Sequence, residues 1–176
     1  RVEYVSVWDF YPDPDAYNME DATYTVERHR LTRPQLRALK KRPFFRSKAI
    51  DDAIKMGENY NQEWWEESLN DNEVSSDFGG EGYASNSGDV ERYEVLEFWG
   101  TIDKEIATIQ NLEIPDKFLK DDEIQINAWV CNGEILRFVI NPFTPKRIPY
   151  VASPYELNPY SFFGVGLAEN MDDTQT

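Results

Sequence analysis

Cysteine, histidine and basic residues are scarce in this sequence, and each shortage excludes a class of function. Cys131 is the only cysteine, so the chain forms no internal disulfide and no cysteine zinc cluster. His29 is the only histidine, which argues against a histidine-based metal site and against a Ser-His-Asp triad. Neither a membrane-length apolar run nor a signal-peptide pattern is present. The sequence therefore predicts a soluble, non-enzymatic protein of a reducing compartment, without metal or cofactor.

Basic residues are outnumbered, with 18 Lys and Arg against 33 Asp and Glu and a net charge of −15. Phosphate binding depends on Lys and Arg that release counterions, so this excess of acid argues against general nucleic-acid binding. An acidic surface instead lets DNA pass without sticking, or simply keeps a protein soluble. Aromatic residues make up 14% of the chain, which predicts a packed globular fold.

The charges are segregated along the chain. Residues 27–48 hold nine basic residues and one acid, whereas residues 49–92 hold twelve acids and two basic residues. The basic block can contact phosphate or an acidic surface on another copy of the chain, and the overall acidity favours the second. We therefore predict a subunit interface at the basic block, and a solvated helix face is the alternative. The candidate interface residues are Arg33, Arg37, Lys40 and Lys41.

Local patterns in the first third predict a strand, a second strand and two helices. Residues 2–8 are β-rich, and the following Tyr11-Pro12-Asp13-Pro14-Asp15 predicts a turn. Residues 23–29 alternate like a half-buried strand. Thr32 and Pro34 favour a helix start, and Pro43 ends that helix. A second helix begins near Ser47 and is expected to continue past Gly57 toward Trp64-Trp65, which we assign to core or interface.

The second half is predicted to be mostly β-structure. A long strand covers residues 93–101, and a short helix covers 103–111. Asn132-Gly133 between two apolar runs predicts a hairpin with a type I′ turn, because both turn residues need positive φ. Five prolines between Asn141 and Pro159 predict an extended arm. Gly164 and Gly166 then lead into a terminal helix.

These patterns predict an α+β, β-rich fold in four segments. The segments are 1–69 (α+β), 70–91 (an acidic flexible loop), 92–163 (β-rich) and 164–176 (the start of a helix). The chain begins without Met inside a strand-like run and stops where a helix has just begun. We therefore expect it to be an excerpt of a longer protein.

Other candidate sites have simpler interpretations. Asp13 and Asp15 lack the ligand pattern of a calcium loop and are better explained by turn chemistry. Two acidic groups, Glu66-Glu67 and Asp121-Asp122-Glu123, are candidate glycosidase carboxylates, but solvated faces explain them better. The glycine-rich runs at residues 79–82 and 164–166 lack the residues of a phosphate-binding loop.

Several motifs, taken in order, resemble the portal proteins of short-tailed bacteriophages. They include Asp13-Pro14 after a strand, Leu31-Thr32-Arg33-Pro34-Gln35-Leu36 at a helix start, and Tyr160-Ser161-Phe162-Phe163-Gly164 before a helix. The matching runs are residues 7–16, 24–29, 31–36, 92–100, 148–150 and 158–169. The resemblance spans nearly the whole chain and rests on the order and spacing of individually weak motifs.

The resemblance implies a subunit of a ring, usually a homododecamer, at one capsid vertex of a virion assembled in the host cytoplasm. Such head–tail connectors surround the double-stranded DNA during packaging and ejection. Their partners are the terminase large subunit, head–tail adaptors and the major capsid and scaffold proteins. By analogy, segment 1–69 corresponds to wing and stem, segment 92–163 to the clip with its Asn132-Gly133 turn, and Gly164 and Gly166 to the start of the second stem helix.

Two other readings remain open. The chain is alternatively a different non-enzymatic interaction module, such as a tail adaptor or a scaffold, which would form a smaller oligomer. A carboxylate-based hydrolase using Glu66, Glu67 and Asp122 is the more remote alternative.

Overall fold

The described part of the chain contains one five-stranded antiparallel sheet. The computed structural model describes residues 2–61, 92–109, 123–143 and 147–172. Consecutive strands are neighbours in the sheet, which is therefore a meander. The strands are Phe10–Pro12 (β1), Tyr24–Thr32 (β2), Arg92–Asp103 (β3), Glu123–Cys131 (β4) and Glu134–Ile140 (β5). The α+β, β-rich prediction is confirmed.

Four short α-helices accompany the sheet in the described ranges. They are Arg33–Ala38 (α1), Ser47–Met56 (α2), Lys104–Ile109 (α3) and Leu167–Asp172 (α4). At the start of α1, the Thr32 backbone N–H donates to Gln35 Oε1 at 2.8 Å, which satisfies a donor that the helix itself leaves free. Pro34 is tolerated in the first turn, as expected from the sequence. None of the helices in the described ranges is long and apolar enough to cross a membrane.

Each face of the sheet carries a cluster of apolar side chains. On the front face, defined by Val95, Glu97 and Trp129, helices α1 and α2 cover the end of the sheet nearest Val95. The resulting core includes Leu36, Leu39, Ile50, Ala53, Ile54, Tyr93, Val95, Trp129, Cys131 and Leu136. The back face carries a second cluster built from Ile124, Ile126, Ala128 and Phe138. This alternation follows from the two-residue period of side chains in a strand.

The predicted hairpin between β4 and β5 is confirmed. Asn132 has φ of 52° and Gly133 has φ of 76°, as a tight turn with two left-handed residues requires. The Asn132 side chain has a second role, because its Nδ2 donates to the carbonyls of Ala53 at 2.9 Å and Gly57 at 2.8 Å. These carbonyls belong to the last turn of α2 and the residue after it, so the hairpin turn caps the helix.

We expect Asn132→Gly to lower the free energy of unfolding by about 1–2 kcal/mol. Glycine adopts the required positive φ, so the variant removes the cap and keeps the turn. Asn132→Asp also tolerates the turn but cannot donate, and it should lose at least as much stability. Urea denaturation followed by circular dichroism measures both variants. Unchanged unfolding midpoints would contradict the capping role.

The predicted opening strand was wrong. Residues 2–6 have no regular structure, and Val7–Asp9 forms a 3-10 turn in which Ser6 Oγ accepts a hydrogen bond from the Trp8 N–H. The strand β1 starts later and includes Pro12, which the sequence placed in a turn. Proline fits there because β1 lies at the edge of the described sheet, where one side of the strand needs no donor.

The predicted continuation of the second helix past Gly57 was also wrong within the described residues. Helix α2 ends at Met56, and Gly57 takes φ of 94° with ψ of 179°, a non-helical conformation that is open to glycine. Residues 58–61 are not helical. Trp64-Trp65 and the predicted loop 70–91 lie outside the described ranges.

The proline-rich arm folds back on the start of the sheet. Outside the undescribed residues 144–146, the arm between β5 and α4 has no helix or strand, in agreement with the sequence. The Phe10 ring lies 5.0 Å from the Tyr150 ring and 6.1 Å from the Phe162 ring. The sheet therefore joins strands of segment 1–69 to strands of segment 92–163, and the arm packs against both. The wing, stem and clip roles of the segments stay predictions.

Candidate functional site

The four predicted interface residues lie close together along the chain but differ in environment. Arg33 and Arg37 are on α1, and Lys40 and Lys41 are in the 3-10 turn Leu39–Lys41 that follows. Arg33, Arg37 and Lys41 are exposed. Lys40 forms an ion pair with Asp51 of α2. Of the four predicted residues, Arg33, Arg37 and Lys41 are exposed, whereas Lys40 links the 3-10 turn to α2.

Other members of the basic block are engaged within the chain. Arg28 Nη2 lies 3.0 Å from Asp9 Oδ1, and Arg30 Nη2 lies 2.5 Å from Asp9 Oδ2. Both arginines project from β2, and Asp9 precedes β1, so this fork fixes the N-terminal segment to the sheet. The pairing is geometrically specific because both carboxylate oxygens are used. Charge blocks along the sequence did not reveal it.

The two glycines predicted at the start of the terminal helix differ in their packing. A Cβ on Gly164 would lie 2.3 Å from the Glu156 carbonyl oxygen and 2.5 Å from Pro154 Cβ, so only glycine fits. A Cβ on Gly166 would meet nothing within 4 Å. Gly164 is needed because residues 156 and 165 form a β-bridge at this point, which brings the two backbones together.

Sequence reasoning missed a cluster of three ionisable side chains on the front face. Glu27 of β2 and Glu97 of β3 are direct partners in the strand register, and His29 lies two residues further on the same face of β2. His29 Nε2 lies 3.0 Å from Glu97 Oε2, and His29 Nδ1 lies 3.6 Å from Glu27 Oε1. We call Glu27, His29 and Glu97 the front-face cluster. The count of histidines alone had argued against such a site.

Each carboxylate of the cluster is oriented by donors outside it. Trp99 Nε1 and Asn127 Nδ2 both donate to Glu97 Oε1 at 2.8 Å, which leaves Oε2 directed at His29. The Tyr150 hydroxyl donates to Glu27 Oε2 at 2.5 Å, which leaves Oε1 on the side of His29. One oxygen of each carboxylate is thus fixed, and the other faces the imidazole.

Burial makes these charges costly unless they are compensated. The Glu27 and Glu97 side chains are only 17% and 12% exposed, so water solvates them poorly. Burial by itself raises the pKa of Glu97, but the His29 hydrogen bond and charge outweigh it, helped by Asn127 and Trp99, and the net pKa is lowered. Because the folded pKa lies below the unfolded one, the stabilisation is present at neutral pH and is lost as pH falls through the folded pKa.

Neighbouring groups complete the environment of the cluster. The Trp129 ring stacks on His29 with ring centroids 4.7 Å apart and an interplanar angle of 9°. Burial and the two nearby carboxylates raise the pKa of Tyr150, which keeps the hydroxyl protonated as a donor. Arg137 of β5 is the partner of Trp129 in the strand register. Burial lowers the pKa of Arg137, and this effect outweighs the opposing charge of Glu97. The cluster is therefore a charged site with low solvent exposure between the sheet and the arm.

The remaining carboxylate candidates do not form a site in the described ranges. Asp13 is a turn residue, because its side chain accepts from the N–H groups of Asp15 and Thr23 and from the Thr23 hydroxyl. Glu123 begins β4 and is exposed. The residues Glu66, Glu67, Asp121 and Asp122 lie outside the described ranges.

A groove lined by aromatic rings lies at the β1 edge. Segments 10–17 and 160–163 form its two walls, and we call it the terminal groove. The exposed rings in these walls are Tyr11 (45% exposed), Tyr17 (57%), Tyr160 (86%) and Phe163 (45%). Exposed aromatic rings in one place are typical of a surface that binds another protein, because isolated monomers rarely leave such area in water.

Comparison with known proteins does not assign a family to the chain. No protein-family model matches it, and no curated protein matches it. Its function must therefore be argued from the surfaces and side chains described above.

Proposed function

We propose that this chain is part of a subunit of a ring-shaped bacteriophage portal, through which DNA is packaged and ejected. The observation that carries the proposal is the terminal groove, with its exposed aromatic rings at the β1 edge of the described sheet. A subunit that is stable only within a ring is expected to present apolar area that a neighbour covers. The motif order described above supports the choice of the portal family among ring-forming proteins.

The surface chemistry supports self-association of a head-to-tail kind. The terminal groove is aromatic, and the exposed surface of α1 and the 3-10 turn after it is cationic through Arg33, Arg37 and Lys41. Head-to-tail rings place two different patches of one subunit against each other, so a chain with unlike patches meets their first requirement. In a molecule of net charge −15, acidic surface for the cations to meet is plentiful.

The same acidity suits the proposed channel. A passage for double-stranded DNA must not bind its cargo tightly, and like charges prevent the counterion release that drives such binding. The proposed partners follow from the portal assignment: further copies of the chain, the terminase large subunit, head–tail adaptors, and capsid and scaffold proteins. We place the assembly at one vertex of the virion.

Reversing the exposed cations on α1 and in the 3-10 turn after it is expected to prevent ring formation. The triple variant Arg33→Glu, Arg37→Glu and Lys41→Glu places like charges against acidic neighbours, which weakens each subunit contact by at least about 30-fold. Mass photometry of the complete protein measures the distribution of oligomers.

The matched control reverses three cations elsewhere on the described surface, Lys55, Lys104 and Arg147, and so changes the net charge equally. This control should retain the oligomers of the unmodified protein. Unchanged rings in the α1 variant would refute the interface. Equal loss in both variants would attribute the effect to net charge.

A further inference from the structure

The front-face cluster has the composition of a metal site, and it lies apart from the surfaces used in the proposed assembly. Glu27, His29 and Glu97 each offer one ligand atom, and these atoms all lie within 4.8 Å of one another. Ligands on one zinc ion stand about 3.3–3.5 Å apart, because Zn–N and Zn–O distances are close to 2.0–2.2 Å. Because His29 faces Glu97 through Nε2 and Glu27 through Nδ1, an ion bound to one ring nitrogen requires the carboxylate at the other nitrogen to rotate toward it.

The arrangement of hydrogen bonds around the cluster matches that of protein metal sites. Ligating carboxylates are usually held by an outer partner through one oxygen while the other binds the ion. Trp99 and Asn127 hold Glu97 Oε1, and Tyr150 holds Glu27 Oε2. The oxygens that remain, Oε2 of Glu97 and Oε1 of Glu27, are those that lie nearest the imidazole nitrogens.

Two side chains that contact the cluster carry buried polar atoms without a partner in the described ranges. Asn127 is fully buried, yet its Oδ1 has no hydrogen-bond partner among the described residues, although its Nδ2 contacts Glu97. The Nε1 of Trp129, whose ring stacks on His29, is likewise buried without a partner in the described part of the chain. Buried polar groups are rarely left unsatisfied, and each one costs about 1–3 kcal/mol. A water bound to a metal ion both donates and accepts, so it is suited to satisfying these groups.

Charge favours a cation at this position. Two carboxylates that face each other across neighbouring strands repel, and both are mostly buried. The cations on the described elements around them are His29, when protonated, and Arg137, which lies beyond Trp129. A divalent ion neutralises both carboxylates without requiring a proton on the imidazole.

We propose that Glu27, His29 and Glu97 bind a divalent transition-metal ion, with zinc as the best-matched ion. One imidazole nitrogen and two carboxylate oxygens form a mixed donor set, which zinc accepts and which calcium and magnesium, with their preference for oxygen alone, do not. Because Tyr150 contacts Glu27, the ion ties the arm to strands β2 and β3. The site strengthens the fold where the arm crosses the sheet.

Cobalt substitution and calorimetry test the site on the metal-free protein after treatment with a chelator. We expect one Co²⁺ per chain, with visible absorption of a low-coordinate nitrogen–oxygen site, and displacement of the cobalt by Zn²⁺. Titration calorimetry with Zn²⁺ should give the same stoichiometry. His29→Gln and Glu97→Gln should each lower the affinity by more than about 100-fold, and Tyr150→Phe by about 10-fold.

Glu94→Gln is the matched control, since Glu94 is on the same strand but on the opposite face from Glu97. It should leave the affinity unchanged. Circular dichroism establishes that each variant is folded. Absence of the cobalt spectrum in the unmodified protein would overturn the proposal. Equal affinities in Glu94→Gln and Glu97→Gln would overturn it as well.

Discussion

Trp129→Ala is expected to lower the free energy of unfolding by about 3–5 kcal/mol. Trp129 is 8% exposed and connects the apolar core under α1 and α2 to the front-face cluster. Its ring stacks on His29 and meets the edge of Phe45 at 5.4 Å between centroids. Truncation leaves a cavity and removes the apolar surface behind the imidazole. Because a domain of this size is stable by only about 5–15 kcal/mol, the variant should lose much of its resistance to urea.

Trp129→Phe tests how much of the stabilisation comes from filling the volume and how much from the indole ring itself. Phenylalanine fills part of the volume and keeps an aromatic face toward His29, so we expect a loss of about 1–2 kcal/mol. Far-ultraviolet circular dichroism is the appropriate measurement, because the mutation removes a tryptophan and changes the fluorescence. Equal losses in the two variants would contradict the assigned packing.

Gly100→Ala is expected to lower the free energy of unfolding by about 2–3 kcal/mol. Gly100 lies in β3 directly opposite Tyr24, and the Phe98 ring folds over it. A Cβ there would stand 2.5 Å from Tyr24 Cβ, 2.7 Å from Phe98 Cζ and 3.0 Å from Tyr24 Cα. The Phe98 ring can rotate away, but the Tyr24 backbone cannot move without disturbing the pairing of β2 with β3.

Gly166→Ala provides the control for Gly100→Ala. A Cβ at Gly166 meets nothing within 4 Å, and we expect a change within about 0.5 kcal/mol. Thermal unfolding of both variants gives the comparison. If Gly100→Ala were as mild as Gly166→Ala, the close approach of β2 and β3 would be refuted.

Local sequence signals predicted the structure correctly where the residues themselves favour one backbone conformation. Asn132-Gly133 predicted the hairpin because few residues adopt positive φ, and Thr32 with Pro34 predicted the start of α1 because they suit the free N–H groups of a first turn. The predictions for β1 and for the residues beyond Gly57 were wrong because local signals did not decide the structure there. Whether Pro12 lies in a strand depends on that strand being at the sheet edge, which is a tertiary property.

The front-face cluster depends on strand register, which the sequence does not reveal directly. Glu27 and His29 are separated by one residue in an alternating strand, so the sequence alone predicts that they lie on the same face. Glu97 is 70 positions further along, and its place opposite Glu27 follows only from the pairing of β2 with β3. Counting histidines argued against a histidine-based metal site, and that argument did not consider a single imidazole between two carboxylates.

The charge blocks in the sequence indicated surface residues but did not reveal which of them form ion pairs within the chain. Three members of the basic block already pair within the chain, Arg28 and Arg30 with Asp9, and Lys40 with Asp51. Only the structure separates these from the exposed cations Arg33, Arg37 and Lys41. The interface itself stays a prediction, and Lys40 is the one of its four residues that already pairs within the chain.

Determining the oligomeric state of the complete protein tests the central proposal most directly. Mass photometry combined with negative-stain microscopy should reveal a closed ring, a dodecamer by the portal resemblance, with a central channel. A complete protein that stays monomeric at micromolar concentration and hydrolyses a small substrate would contradict the proposal.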